Sequence, residues 1–162
     1  MSRAPAFEAK VVAPADLPKR LASVARPLVF TNGVFDVLHR GHATYLAQAR
    51  AEGAALLVAV NSDASVRRLG KGADRPINAL EDRMALVAAL ESVSLVTWFE
   101  QDTPLELVLA TRPNVLVKGG DWKPEAIVGG EQVRGWGGRV LSIAFEHQRS
   151  TTTLLERIRN SG

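Results

Sequence analysis

The 162-residue chain contains no cysteine. Disulfide scaffolds, thiolate zinc sites, iron–sulfur clusters and cysteine nucleophiles are excluded with it. Aromatics are scarce: one Tyr, three Trp and five Phe are too few to interleave with basic residues as base-stacking platforms do. No apolar run reaches the roughly 20 residues that a membrane helix needs. Met1 to Lys10 carries no apolar segment of secretory type, so a cytoplasmic location is expected. Runs of like charge are missing too. Twenty basic residues against 17 acidic give +3 and an isoelectric point near 9.7. The densest basic groups are only Arg67, Arg68 and Lys71, then Arg157 and Arg159. Basicity without a basic stripe fits a local phosphate site better than a nucleic-acid partner or a membrane surface.

What is present is an ordinary core composition, 46% hydrophobic and 23% charged, which suits one globular domain. Short apolar runs at Leu28–Thr31, Leu56–Asn61, Leu95–Phe99, Val115–Lys118 and Arg139–Ala144 read as strands. Helical patterns lie between them, at His42–Glu52, Asp63–Leu69, Leu80–Glu91, Pro104–Thr111 and Gly130–Trp136, with a last helix at Thr153–Asn160. Near-continuous apolar strands alternating with amphipathic helices predict a five-stranded parallel sheet covered on both faces. Right-handed crossovers make it a Rossmann-like, doubly wound α/β fold. Residues 27–162 are expected to form this domain. Residues 1–26 are expected to be a weakly patterned, loose arm with a short helix at Ala15–Ala25 closed by Pro27.

Such folds bind ligands beyond the carboxyl ends of their strands. Thr31-Asn32-Gly33, Asn61-Ser62-Asp63 and Lys118-Gly119-Gly120-Asp121 fall at those positions. Turn chemistry explains the glycines and asparagines. A lysine ending a buried strand either meets an anion or snorkels to solvent. After the first strand, His39-Arg40-Gly41-His42 places two imidazoles around a glycine at a helix start. A helix N-terminus offers unpaired N–H groups and partial positive charge to an anion, and a bound triphosphate would favour charged histidines. A buried histidine pair without chemistry, or a metal held by His39, His42 and Asp36, are the competing readings. Walker and dinucleotide glycine motifs are absent.

Three further segments are candidates. Arg67, Arg68, Gly70, Lys71 and Gly72 read either as a cationic lid or as a basic helix end. Arg75 precedes Pro76, which fixes it in extended backbone as an acceptor-phosphate ligand. Thr153 with Glu156, after Ser150-Thr151-Thr152, reads as a capping box.

Asn32-Gly33-Val34-Phe35-Asp36 followed by His39-Arg40-Gly41-His42 resembles the HxGH signature of the cytidylyltransferase-like nucleotidyltransferases. These enzymes move a nucleotidyl group from a nucleoside triphosphate to a phosphate or phosphonate. From Leu28 onward the chain resembles the adenylyltransferases of ADP-heptose synthesis. The segments that carry this are Val60–Val66, Arg75-Pro76-Ile77-Asn78, Glu81-Asp82-Arg83, Leu116–Trp122 and Ser150-Thr151-Thr152. The resemblance implies ATP and D-glycero-β-D-manno-heptose 1-phosphate as substrates. It implies Mg²⁺ bound mainly through the ATP phosphates, with no dedicated protein metal site. A homo-oligomer, with a dimer expected, and pairing with a separate heptose 7-phosphate kinase are also implied.

Residues and resemblance together nominate His39, His42 and Lys118 as catalytic groups. Thr31, Asn32, Gly33, Phe35, Gly41, Gly119, Ser150, Thr151 and Thr152 are expected around the nucleotide, with His42 and Lys118. Asp36, Asn61, Asp63, Arg67 and Arg75 are expected around the sugar phosphate. Another HxGH chemistry, such as glycerol-3-phosphate cytidylyl transfer, and a non-catalytic nucleotide sensor stay open at this stage.

Overall fold

In the computed structural model, which describes residues 3–147 and 150–162, five strands form one sheet. They are β1 (Leu28–Gly33), β2 (Ala55–Asn61), β3 (Leu95–Phe99), β4 (Val115–Gly119) and β5 (Arg139–Ile143). All pairings are parallel, in the order β3-β2-β1-β4-β5. The helices are α1 (Leu17–Leu21), α2 (Arg40–Ala51), α3 (Asp63–Arg68), α4 (Leu80–Ala88), α5 (Leu105–Thr111), α6 (Gly130–Gly135) and α7 (Thr151–Arg159). The doubly wound α/β expectation holds.

Alternation along the strands sorts the core into two layers. Leu28, Phe30, Leu57, Leu95 and Leu116 pack with Leu17 and Leu21 of α1, Leu107 and Val108 of α5, and Val133 of α6. Val29, Leu56, Val58, Val96 and Val117 pack with Tyr45, Leu46 and Ala49 of α2 and with Met84, Val87 and Ala88 of α4. Successive strand residues serve opposite faces, so both faces are dry and the strands read as unbroken apolar runs.

The strand order reverses between β1 and β4. Their pairing stops at Phe30 and Leu116, although β1 continues to Gly33 and β4 to Gly119. The two strand ends therefore part into a crevice at the switch point, where this architecture places ligands.

The N-terminal segment is not the loose arm that its weak patterning predicts. Ala6–Lys10 and Pro14–Asp16 are 3-10 turns. Between them Val11 bridges Val96 in parallel, and the Val12 N–H donates to the Val96 carbonyl at 2.8 Å. This covers the otherwise open edge of β3. Leu17 is 1% exposed, so the segment belongs to the core layer. Three-residue periodicity hides it from a 3.6-residue reading. The helix itself is shorter than expected, Leu17–Leu21 rather than Ala15–Ala25.

Candidate active site

The crevice between β1 and β4 opens into a cavity of about 210 Å³. Asn32 and Gly33 line it from β1, Asn61 from β2 and Lys118 from β4, with Lys71 from the loop after α3. The remaining wall comes from the α5 and α6 side of the sheet and includes Thr103, Pro104, Trp122 and Ile127. Four strand-end residues are thus gathered as the fold predicts.

The two histidines do not line this cavity. They form the N-terminus of α2, on the other face of the sheet. His39 is the N-cap, and its Nδ1 accepts the Gly41 N–H at 3.1 Å. The Nδ1 of His42 accepts the His39 N–H at 3.3 Å. This is a capping box built from imidazoles in place of hydroxyl and carboxylate. The rings stack with centroids 3.9 Å apart. A Cβ at Gly41 would lie 2.8 Å from the His39 ring, so the spacing needs glycine there. Because each Nδ1 accepts a backbone proton, each neutral ring carries its own proton on Nε2. The site therefore holds two Nε2–H donors at a helix N-terminus.

Electrostatics tie the two halves together. Burial, His39 and then Lys71 push the His42 pKa down to about 4, so this histidine is neutral near pH 7. Burial and Lys71 lower the Lys118 ammonium, while burial and Arg75 lower that of Lys71, with Asp36 opposing. Among the described residues neither lysine makes an ion pair. Lys118 is partly buried and Lys71 exposed at the cavity wall, so two like charges that oppose each other face one cavity. The expectation that a bound triphosphate favours charged histidines concerns the liganded site; without a ligand His42 is neutral near pH 7.

Several nominated residues serve the scaffold. Thr31 is fully buried and its hydroxyl meets that of Tyr45, so its side chain faces the core rather than a nucleotide. Phe35 is buried with its ring edge-on to His42 and against Gly33. Asp36, 1% exposed, accepts from Arg75 Nε at 2.6 Å and from the Ile77 and Asn78 N–H groups. Burial alone would raise its pKa, but Asn78, Ile77 and Arg75 outweigh it and hold the carboxyl below its usual range. Asp36 and Arg75 thus clamp the 75–78 loop onto the β1–α2 connection.

Asp63 pairs with Arg83 at 2.7 Å. Arg67 is exposed in the last turn of α3 and outside the cavity wall, which its neighbours Leu69 and Lys71 reach instead. Gly119 lies against Tyr45 and Phe145. Ser150, not Thr153, caps α7, accepting the Thr153 N–H at 3.0 Å. Thr151 Oγ1 donates to the Val37 carbonyl, which brings the Ser150–Thr152 turn onto the loop ahead of His39. Thr152 is exposed.

Arg83 has no site role in the sequence and stands there only within the Glu81-Asp82-Arg83 segment. It is fully buried in α4. Its guanidinium donates to the carbonyls of Val34, Asn61 and Asn78 and to the Asp63 carboxylate, fixing the ends of β1 and β2 together. An arginine four residues before Val87, on the apolar face of a helix, was the available signal.

The profile of the cytidylyltransferase-like family matches residues 30–151. The chain is 55% identical over 155 residues to the D-beta-D-heptose 1-phosphate adenylyltransferase of Bordetella bronchiseptica, covering 94% of this chain and 96% of that one. It is also 55% identical to the bifunctional protein HldE of Hahella chejuensis over 82% of this chain, and spans only 28% of that longer protein. Among solved structures, the lipopolysaccharide core biosynthesis protein of Thermoplasma volcanium aligns with a TM-score of 0.60 at 27% identity. That alignment covers 75% of this chain and 98% of the other.

Proposed function

Since the chain belongs to the cytidylyltransferase-like family, we propose that it transfers AMP from ATP to D-glycero-β-D-manno-heptose 1-phosphate, giving ADP-heptose and pyrophosphate. It is a nucleotidyltransferase. The observation that carries the reading is that Lys71 and Lys118 line the cavity at the switch point of the sheet, with no ion pair on either lysine among the described residues, while His42 at the α2 N-terminus lies within electrostatic reach of Lys71. A triphosphate supplies the negative charge that this cluster lacks.

The reaction is a direct in-line displacement. A phosphate oxygen of the sugar phosphate forms a bond to the α-phosphorus, the bond from that phosphorus to the bridging β-phosphate oxygen breaks, and pyrophosphate leaves with the electron pair. No side-chain nucleophile is required. The protein contributes position and charge stabilisation. The Nε2–H groups of His39 and His42 and the ammonium groups of Lys118 and Lys71 stabilise charge that grows on the leaving group. Gly33 and Gly41 let the phosphates approach the backbone, and Thr151, by donating to the Val37 carbonyl, holds the Ser150–Thr152 turn against the loop ahead of α2. Among the described residues no three His, Asp or Glu side chains gather as a metal site. In this reading Mg²⁺ is carried by phosphate oxygens and supplies charge neutralisation.

The proposal also takes from the resemblance a functional pairing with a separate heptose 7-phosphate kinase, and a cytoplasmic homodimer completes it. No helix among the described residues is long and apolar enough to cross a membrane. The test is pyrophosphate release from ATP and heptose 1-phosphate by the wild type and by His42→Ala. The variant is expected to lose about 10²–10³ in turnover; near-normal turnover would remove His42 from the chemistry.

A further inference from the structure

The cavity carries an aromatic residue that phosphate chemistry does not use. Trp122 is 48% exposed, yet its loop is firmly built. The Trp122 backbone N–H donates to Ser142 Oγ at 3.1 Å, and the same hydroxyl donates to the Gly120 carbonyl at 2.6 Å. The Gly120 N–H in turn donates to Ile143, so β5 holds the Gly120–Trp122 backbone beside the cavity, which Trp122 lines. The Lys118 ammonium lies 5.5 Å from the ring centroid. A large apolar side chain kept at a polar mouth, beside a phosphate-binding lysine, calls for a ligand that is phosphorylated at one end and apolar on one face.

A second wall residue narrows the chemistry. Asn61 is 4% exposed, and its Nδ2 lies 3.0 Å from Ser65 Oγ. Ser65 spends its only hydroxyl proton on the Gln101 carbonyl at 2.8 Å, so it must accept from Asn61. That fixes the amide orientation and leaves Oδ1 as the Asn61 acceptor at the cavity wall. Acceptors suit hydroxyl groups. A pyranose presents hydroxyl donors on its edge and C–H groups on its face, and polarised C–H groups favour the negative face of an indole.

Position separates the two substrates. The histidines cap α2 on one face of the sheet, whereas Pro104, Trp122 and Ile127 belong to the other, with Lys71 and Lys118 between. We propose that Trp122 and Asn61 Oδ1 form the sugar-recognition surface of the acceptor cavity, Trp122 stacking on the C–H face of the heptose ring. This rests on the adenylyl-transfer reading and assigns the ring, rather than the adenine, to the indole.

The experiment varies ATP and heptose 1-phosphate independently for wild type, Trp122→Ala and Trp122→Phe. Trp122→Ala is expected to raise KM for the sugar phosphate roughly 10–100-fold, to exceed any fall in kcat, and to leave KM for ATP within about twofold, as for a contact the nucleotide does not make. Trp122→Phe recovers most of the loss. A larger rise in KM for ATP, or no change in either, overturns the proposal. Calorimetric titration with heptose 1-phosphate reads the surface without turnover. Wild type that binds the sugar phosphate but releases no pyrophosphate refutes the reaction alone, and the platform then stands or falls on the affinity lost in Trp122→Ala. Wild type that does not bind it overturns both.

Discussion

His39 and His42 stack at 3.9 Å, and each holds a backbone N–H of the α2 entry on its Nδ1. One contact network therefore sets the helix cap, the ring tautomers and the direction of the donors. Gly41 makes it possible. In Gly41→Ala the new Cβ would fall 2.8 Å from the His39 ring and force it off the cap. Turnover is expected to fall about 10²-fold, while alanine in the first helical turn leaves thermal stability within a few degrees. Unchanged kcat in this variant would break the link between cap and catalysis.

Burial, then His39 and Lys71, make His42 a weak base. Its folded pKa is about 4 against an ordinary 6.5, so between these values the unfolded chain binds more protons. Stability should accordingly rise with pH from about 4 to 6.5 and level off above, through this group. His42→Gln is expected to flatten that slope. An anion at the site favours the charged ring, so an NMR titration of His42 should show its midpoint move upward on adding a non-hydrolysable ATP analogue. A midpoint near 6.5 without ligand, or a downward move with it, would contradict the electrostatic picture.

Lys118 is expected to be costly to the fold and valuable to the reaction. Burial and Lys71 both oppose its charge. Lys118→Met should therefore lose about 10²–10³ in turnover while Tm stays level or rises. A clear drop in Tm with turnover retained would identify the lysine as structural.

Asp36 and Arg83 behave in the opposite way. Arg83→Ala leaves three carbonyls and the Asp63 carboxylate without their donor. A loss of about 3–5 kcal/mol in denaturant unfolding is expected. Asp36→Asn should also destabilise, and most above pH 5, because the low carboxyl pKa contributes stability that is lost only as pH falls through it. Denaturation curves for both variants, run from about pH 2 to 7, check the assignment.

These residues also mark how far the sequence could be read. The five strands are legible because both sheet faces are dry, as Val58 and Leu57 on opposite faces illustrate. The HxGH segment is legible as the turn from the first strand into a helix, and its role toward an anion belongs to the proposal. The start of α2 is not: it begins at Arg40 rather than His42, because histidine seldom caps a helix and capping preferences point elsewhere. Ser150 and Thr153 are both good caps, and only the backbone decides between them. Arg75 reads as a phosphate ligand until Asp36 is seen to occupy its Nε, a pairing 39 residues apart that no local pattern encodes. The N-terminal segment earns its place through the edge of β3, which is a tertiary fact.

The most direct test of the account is a pyrophosphate-release assay that crosses ATP and CTP with heptose 1-phosphate and glycerol 3-phosphate. The account predicts rapid release with ATP and heptose 1-phosphate, at least tenfold above every other pair. Release with CTP and glycerol 3-phosphate instead, or nucleotide binding without release from any pair, would contradict it.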